Sequence, residues 1–235
     1  MGTNAKELYK DYWVGMQEGR LKRGYYERLY EKVRSRIEVP PGGRVLDVAG
    51  GNGHFLQYLG IEGADILDIS ESGLKAASEA GYRAIHGDVE KRFPITSETY
   101  DTVLCFEVLE HLHSPNKTLC EIHNVLKPGG ALYVGQPNMR ADGVHHVRRY
   151  YLKPLLEDLE KCGFKVEWTD FVPAYSMPDS IRSDIRKNPS LIRKTVQSVN
   201  LLLSCLPWAV RYEMAKHVPD RFALLFILKA VKKTS

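Results

Sequence analysis

Val45-Leu46-Asp47-Val48-Ala49-Gly50-Gly51-Asn52-Gly53-His54-Phe55-Leu56 is the stretch on which the fold turns. An apolar run broken by one acid meets a glycine-rich turn, and a pattern able to open a helix follows. A buried parallel strand, a tight turn and a helix N-terminus produce that order. The glycines permit positive φ and let a ligand lie against the main chain. An acid at the strand end argues against phosphate as its nearest neighbour, whereas a hydroxylated or cationic ligand suits the carboxylate oxygens. A purely structural turn is the competing reading.

Spacing downstream favours the ligand. Asp68 lies about twenty residues beyond Asp47, where a second strand, Ala64-Asp65-Ile66-Leu67-Asp68, should finish. An acid there is placed to hold ribose hydroxyls. A nicotinamide dinucleotide fits less well, because its third fingerprint glycine would fall at Leu56 and no second phosphate-binding feature appears. A mononucleoside ligand is the better expectation.

These motifs resemble those of the class I S-adenosylmethionine-dependent methyltransferases, whose first motif is an acid followed by three alternating glycines. Here it reads Asp47, Ala49, Gly51, Gly53, with alanine at the first glycine position. Asp68, Gly87-Asp88-Val89, Tyr100-Asp101-Thr102-Val103, Glu107-Val108-Leu109-Glu110-His111 and Leu126-Lys127-Pro128-Gly129-Gly130 continue the series in order. The resemblance spans roughly residues 40–170. It implies an α/β, Rossmann-like sheet of seven mostly parallel strands in the order 3-2-1-4-5-7-6, with helices on both faces. It also implies S-adenosylmethionine as cofactor, held by Asp47, Ala49, Gly51, Gly53, Asp68, Ile69, Asp88, Val89 and Phe106.

Composition sets the outer limits. The chain has 235 residues, 43% hydrophobic and 26% charged, as in ordinary soluble domains. No stretch is long enough to span a bilayer and no apolar leader opens the chain, so a cytoplasmic location is expected. Cys105, Cys120, Cys162 and Cys205 show no paired spacing. Because Cys105 and Cys120 fall in apolar patterns, buried free thiols are expected ahead of disulfides or a metal site. Residues 45–144 carry seven basic and fourteen acidic side chains, whereas both flanks are basic. An acidic centre suits a sulfonium ligand and basic flanks suit an anionic substrate; a solvated surface is the plainer alternative.

Tyr25, Leu29, Val33 and Ile37 recur at helical spacing, which predicts a helix over about 22–38, ended by Pro40-Pro41-Gly42-Gly43. In the resembling family such N-terminal segments often cover the cofactor, which makes Tyr12 and Trp13 candidate lid or substrate residues. The expected organisation is a helical lid over 1–40, a cofactor-binding core over 41–171, a helical insertion or cap over 172–218, and a closing strand over 219–235. The run Leu201–Val210 inside that insertion is too short to span a bilayer; it suits a substrate cap, a dimer surface or membrane contact, with packing in the monomer as the plainest reading.

Three places concern the acceptor. Glu107 falls at the end of the fourth strand, and His111 lies four residues on, so both are expected on one helical face and are assigned to substrate. Metal binding by His111, His113, His123, Glu107 and Glu110 is not favoured, since His-x-His diverges on a helix and no compact ligand set emerges. His145-His146-Val147-Arg148-Arg149-Tyr150-Tyr151 is the strongest polar-aromatic cluster elsewhere, and a surface turn is its plain alternative. His146 and then His145 are candidate bases for a hydroxyl acceptor, and Arg148 and Arg149 candidate holders of an anionic group.

The expected reaction is methyl transfer to a small-molecule or lipid-linked acceptor, with oxygen as the favoured acceptor atom. RNA methylation comes second, since no RNA-binding module is recognisable. An inactive cofactor-binding protein comes third, a reading that Ala49 permits. The chain is expected as a monomer or homodimer.

Overall fold

Seven short, mostly apolar segments build one sheet. The computed structural model describes residues 33–137, 147, 150–173 and 223–234. In chain order come β1 (Val45–Val48), α1 (His54–Leu59), β2 (Asp65–Asp68), α2 (Glu71–Glu79), β3 (Arg83–His86) and β4 (Tyr100–Phe106). A 3-10 turn (Leu109–His111), α3 (Pro115–Val125), β5 (Leu126–Pro137), α4 (Leu152–Lys161), β6 (Phe164–Pro173) and β7 (Ala223–Lys232) complete it. The strand order is β3-β2-β1-β4-β5-β7-β6, as the resemblance implies. β7 runs antiparallel between β5 and β6, and the other neighbouring pairs are parallel.

Strand periodicity distributes the core over two faces. From β4, Val103 and Cys105 join Leu132 and Val134 of β5 beneath Leu119 and Ile122 of α3 and Leu155 and Leu159 of α4. Leu104 points the other way and joins Val45, Tyr133 and Ile227 against Phe55, Leu56 and Leu59 of α1. A six-residue helix has no stability of its own in water. Burial of the Leu56 side chain, worth roughly 2 kcal/mol, holds α1 in place.

Local signals set the ends of the helices. α1 is bounded by Gly53 at φ 75° and Gly60 at φ 71°. Ser70 caps α2 by accepting the Gly73 N–H at 3.2 Å, and Pro115 opens α3, where its missing donor costs nothing.

Local expectations change at the N-terminal helix and at the cysteines, and two strands run longer than their apolar stretches. The N-terminal helix gives way to a turn after Arg34, short of residue 38, and its predicted start lies outside the described residues. β5 begins at Leu126, so Pro128-Gly129-Gly130 is carried within the strand as an irregularity against β4, with Tyr100 paired to Leu126 and Thr102 to Ala131. β6 continues to Pro173 because β7 supplies partners as far as Ala223. Cys120 is neither buried nor free: it lies on the exposed side of α3 and is joined to Cys162, at the end of α4, in a disulfide. α3 and α4 pack side by side on one sheet face, a proximity that 42 residues of separation conceal. Cys105 alone is a buried free thiol among the described cysteines.

Candidate functional site

Parallel strands bring the key residues to one edge. Register pairs Asp47 with Ile66 and Leu104, Asp68 with His86, and Phe106 with Gly135. The carboxyl ends of β2, β1, β4 and β5 therefore lie in a row, the position at which open α/β sheets bind ligands.

The first turn has the conformation its sequence requires, including the substituted position. Ala49, Gly51 and Gly53 all have positive φ, at 56°, 55° and 75°. Alanine thus occupies a left-handed conformation that favours glycine, and its N–H still donates to Leu67 O at 2.7 Å. Ala49 strains the turn without rerouting it. A side chain at Gly53 would meet the Tyr82 ring at 2.7 Å, so the close approach to that ring excludes a Cβ.

Asp68 closes the turn from the neighbouring strand. Its Oδ2 accepts the Gly51 N–H at 2.8 Å and its Oδ1 the Ser70 N–H at 2.7 Å. Each oxygen retains acceptor capacity for a hydroxyl. Burial pushes its pKa up, against the opposing backbone bonds from Ser70, Gly51 and Ile69. Ile69 itself is half-buried just beyond the strand.

Asp47 is buried on β1, and its Oδ2 has no hydrogen-bond partner. Burial, then the charge of Asp68, pushes its carboxyl up to about 8. A buried acceptor without a donor is costly and marks a place for a ligand group. A cationic amine meets both needs, donating to Oδ2 and stabilising the ionised form.

Asp88 sits in the loop after β3. Its Oδ1 accepts the Glu90 N–H at 3.0 Å and its Oδ2 pairs with Lys91 at 3.2 Å, so Asp88 also caps this turn. Val89 is buried in the core and its carbonyl accepts the Thr118 hydroxyl at 2.9 Å. The Phe106 ring packs on Phe55 of α1, 4.6 Å between centroids, which gives it a packing role beside its expected place near the cofactor.

At the end of β4, Glu107 adopts φ 54° and donates its N–H to Gly135 O at 2.8 Å. It precedes the 3-10 turn instead of entering a helix, so Glu107 and His111 do not share a helical face. The left-handed residue rotates the chain away before the turn begins. Sequence reading gave no role to Glu110 beyond the disfavoured metal set; it is 2% exposed with Oε2 unpartnered, and Gln136 is fully buried with Oε1 unpartnered. Burial, then Glu107, raises the Glu110 carboxyl to about 8. One available signal was an acid placed, with His111, between Leu109 and Leu112.

The Val147 N–H donates to Glu110 O at 3.0 Å, so the chain entering α4 returns to this edge. Tyr12, Trp13, His145, His146, Arg148 and Arg149 lie outside the described residues. Among the described residues no group of three acidic, histidine or cysteine side chains is arranged to hold a metal, and no helix is long and apolar enough to cross a membrane. A cleft of about 380 Å³ lined by Glu38, Thr102, Tyr133, Glu167 and Lys229 opens toward the amino end of β4, away from the strand tips.

Known proteins share this arrangement. A family model described as a methyltransferase domain matches residues 46–134. The ubiquinone biosynthesis O-methyltransferase of Photobacterium profundum is 32% identical over 108 residues, 43% of this chain and 46% of that protein. A probable S-adenosylmethionine-dependent methyltransferase of Mycolicibacterium smegmatis is 28% identical over 208 residues, 81% of this chain and 77% of that protein. The chain spans about half the length of most of the curated relatives it matches. A chain in the solved complex of the Haloferax volcanii Trm112 methyltransferase activator with a methyltransferase superposes with TM-score 0.69 at 19% identity, covering 99% of both chains. The domain match over residues 46–134 and the strand order make this chain similar to the class I S-adenosylmethionine-dependent methyltransferases.

Proposed function

We propose that this chain transfers a methyl group from S-adenosylmethionine to a small-molecule or lipid-linked acceptor, at an oxygen nucleophile. The observation that carries the reading is the buried, unpartnered Oδ2 of Asp47 at the strand tips beside Asp68. The ubiquinone biosynthesis O-methyltransferases among its relatives support oxygen as the acceptor atom.

When bound, S-adenosylmethionine supplies an electrophilic methyl group on a sulfonium. The protein then has to bind, align and exclude water, with no covalent nucleophile. Asp47 accepts from the ammonium at Oδ2, and Asp68 accepts from ribose hydroxyls with its spare lone pairs. Asp88 keeps lone pairs for the adenine amine, and the turn Ala49–Gly53 supplies backbone against which the ligand lies. Glu107, His111, Arg148 and Arg149 serve the acceptor, with Tyr12 over it. His146, or His145 beside it, takes the hydroxyl proton at a ring nitrogen; Val147, joined to Glu110, anchors that segment to the strand tips.

The test is incubation with labelled donor and a lysate, sorting labelled products by size and nuclease sensitivity. Small organic-soluble products support the reading, and nuclease-sensitive label overturns it in favour of RNA. With a hydroxyl acceptor in hand, H146A should lower kcat at unchanged donor affinity.

A further inference from the structure

We propose that the Cys120–Cys162 disulfide is a thiol–disulfide switch that couples the donor side of the site to the acceptor side. The proposal rests on the methyltransferase reading, which makes the loop after β3 the donor side and the segment entering α4 the acceptor side.

The bridge joins two helices that are anchored differently. α3 is held to the donor loop by polar contacts along its length. The Ser114 N–H donates to Glu90 Oε1 at 2.7 Å, the Thr118 hydroxyl to Val89 O at 2.9 Å, and the Phe93 N–H to Glu121 Oε2 at 3.0 Å. α4 follows the segment that returns to Glu110 through Val147, and the Tyr150 hydroxyl donates to Asp158 within that same unit. Among the described residues, it meets α3 through apolar packing, the covalent bridge, and Cys162 Sγ lying 3.4 Å from Asn116 O. Cutting the bridge therefore frees α4 more than α3.

The bridge is open to reaction, and most of the core lies away from it. Cys120 is exposed on α3, whereas Cys162 is 9% exposed. A thiolate of an external dithiol attacks Cys120 Sγ, and Cys162 leaves as a thiolate that takes up a proton. The second thiol of the reagent then displaces Cys120, which is protonated in turn, so the protein gains two thiols and the dithiol becomes a disulfide. With the bridge formed, Leu119, Ile122, Leu155 and Leu159 are fully buried and the His123 ring lies edge-on to Phe164 at 5.2 Å, contacts that do not themselves run through the sulfurs. Cys105 does not compete, being wholly buried with its thiol pKa raised by that burial and by the carboxyls of Glu110 and Asp47.

The experiment compares air-oxidised and dithiothreitol-reduced full-length chain by amide hydrogen exchange, with S-adenosylmethionine affinity measured on both. The expected result is about tenfold faster exchange over residues 147–161 on reduction, with β1 and β4 unchanged. Donor affinity should move by less than about twofold, since α3 keeps its bonds to the donor loop. C120S should behave as the reduced chain under oxidising conditions, and C105S should still switch. A non-reducing peptide map without the Cys120–Cys162 link, or equal exchange over 147–161 in the two states, overturns the proposal. Failure of both forms to bind the donor counts instead against the methyltransferase reading, because the exchange comparison needs no ligand.

Discussion

The Oδ2 of Asp68 accepts the backbone N–H of Gly51 at 2.8 Å, so the tip of β2 fixes the turn that follows β1. One carboxylate thereby shapes the donor turn and faces the ligand. In D68N one amide oxygen replaces two acceptor oxygens, leaving either Gly51 or Ser70 with a buried unpaired N–H. A loss of about 1–3 kcal/mol in unfolding free energy is expected, together with at least about tenfold weaker donor binding. Urea unfolding and calorimetry read the two effects separately. Wild-type stability in D68N contradicts the structural role.

Ala49 and Gly53 test the turn in opposite directions. Both have positive φ, at 56° and 75°. A49G relieves a left-handed alanine worth about 1–2 kcal/mol and loses part of that gain to the freer unfolded chain. A net stabilisation of about 0.5–1 kcal/mol should appear as a higher urea midpoint at constant slope. G53A adds a Cβ 2.7 Å from the Tyr82 ring at a position that is already left-handed, and should cost about 2 kcal/mol or more. If both substitutions are neutral, the turn geometry is wrong.

Buried carboxyls give stability a distinctive pH slope. Asp47 and Glu110 rise to about 8 in the fold from ordinary values of 3.8 and 4.5. Between those limits the folded chain holds more protons than the unfolded one. Their contribution is therefore fully present below about pH 4 and is lost as pH rises toward 8. Asp65 and Asp101, whose pKa values are lowered, act in the opposite sense but below this window. Urea midpoints of the ligand-free chain should fall from pH 5 to pH 8, and D47N should flatten the slope by about one proton. A slope equal in wild type and D47N contradicts the burial of Asp47.

The donor turn was legible in the sequence because it rests on local signals: an apolar strand, an acid at its end, glycines in the turn, and a second acid one βαβ unit later; the sheet order came only with the family resemblance. What sequence concealed depends on packing between distant segments. Nothing near Cys120 points to Cys162, because α3 and α4 meet only once both lie on the sheet. Helical spacing placed Glu107 and His111 on one face, but φ 54° at Glu107 breaks that geometry before the turn starts. Gln136 is fully buried where β5 pairs with the distant β7, opposite Phe226.

The central claim is that ionised Asp47 receives the donor's ammonium, and calorimetry with S-adenosylmethionine between pH 5.5 and 7 tests it directly. Asp47 is protonated in the free fold over that range, while an α-amino group stays charged below about 7.7. Binding should therefore release close to one proton, seen as a heat that varies with buffer ionisation enthalpy, and affinity should rise up to about tenfold per pH unit. D47N should abolish the proton release and weaken binding by about ten- to a hundredfold. Binding of the folded protein that is independent of pH and unchanged in D47N would contradict the account.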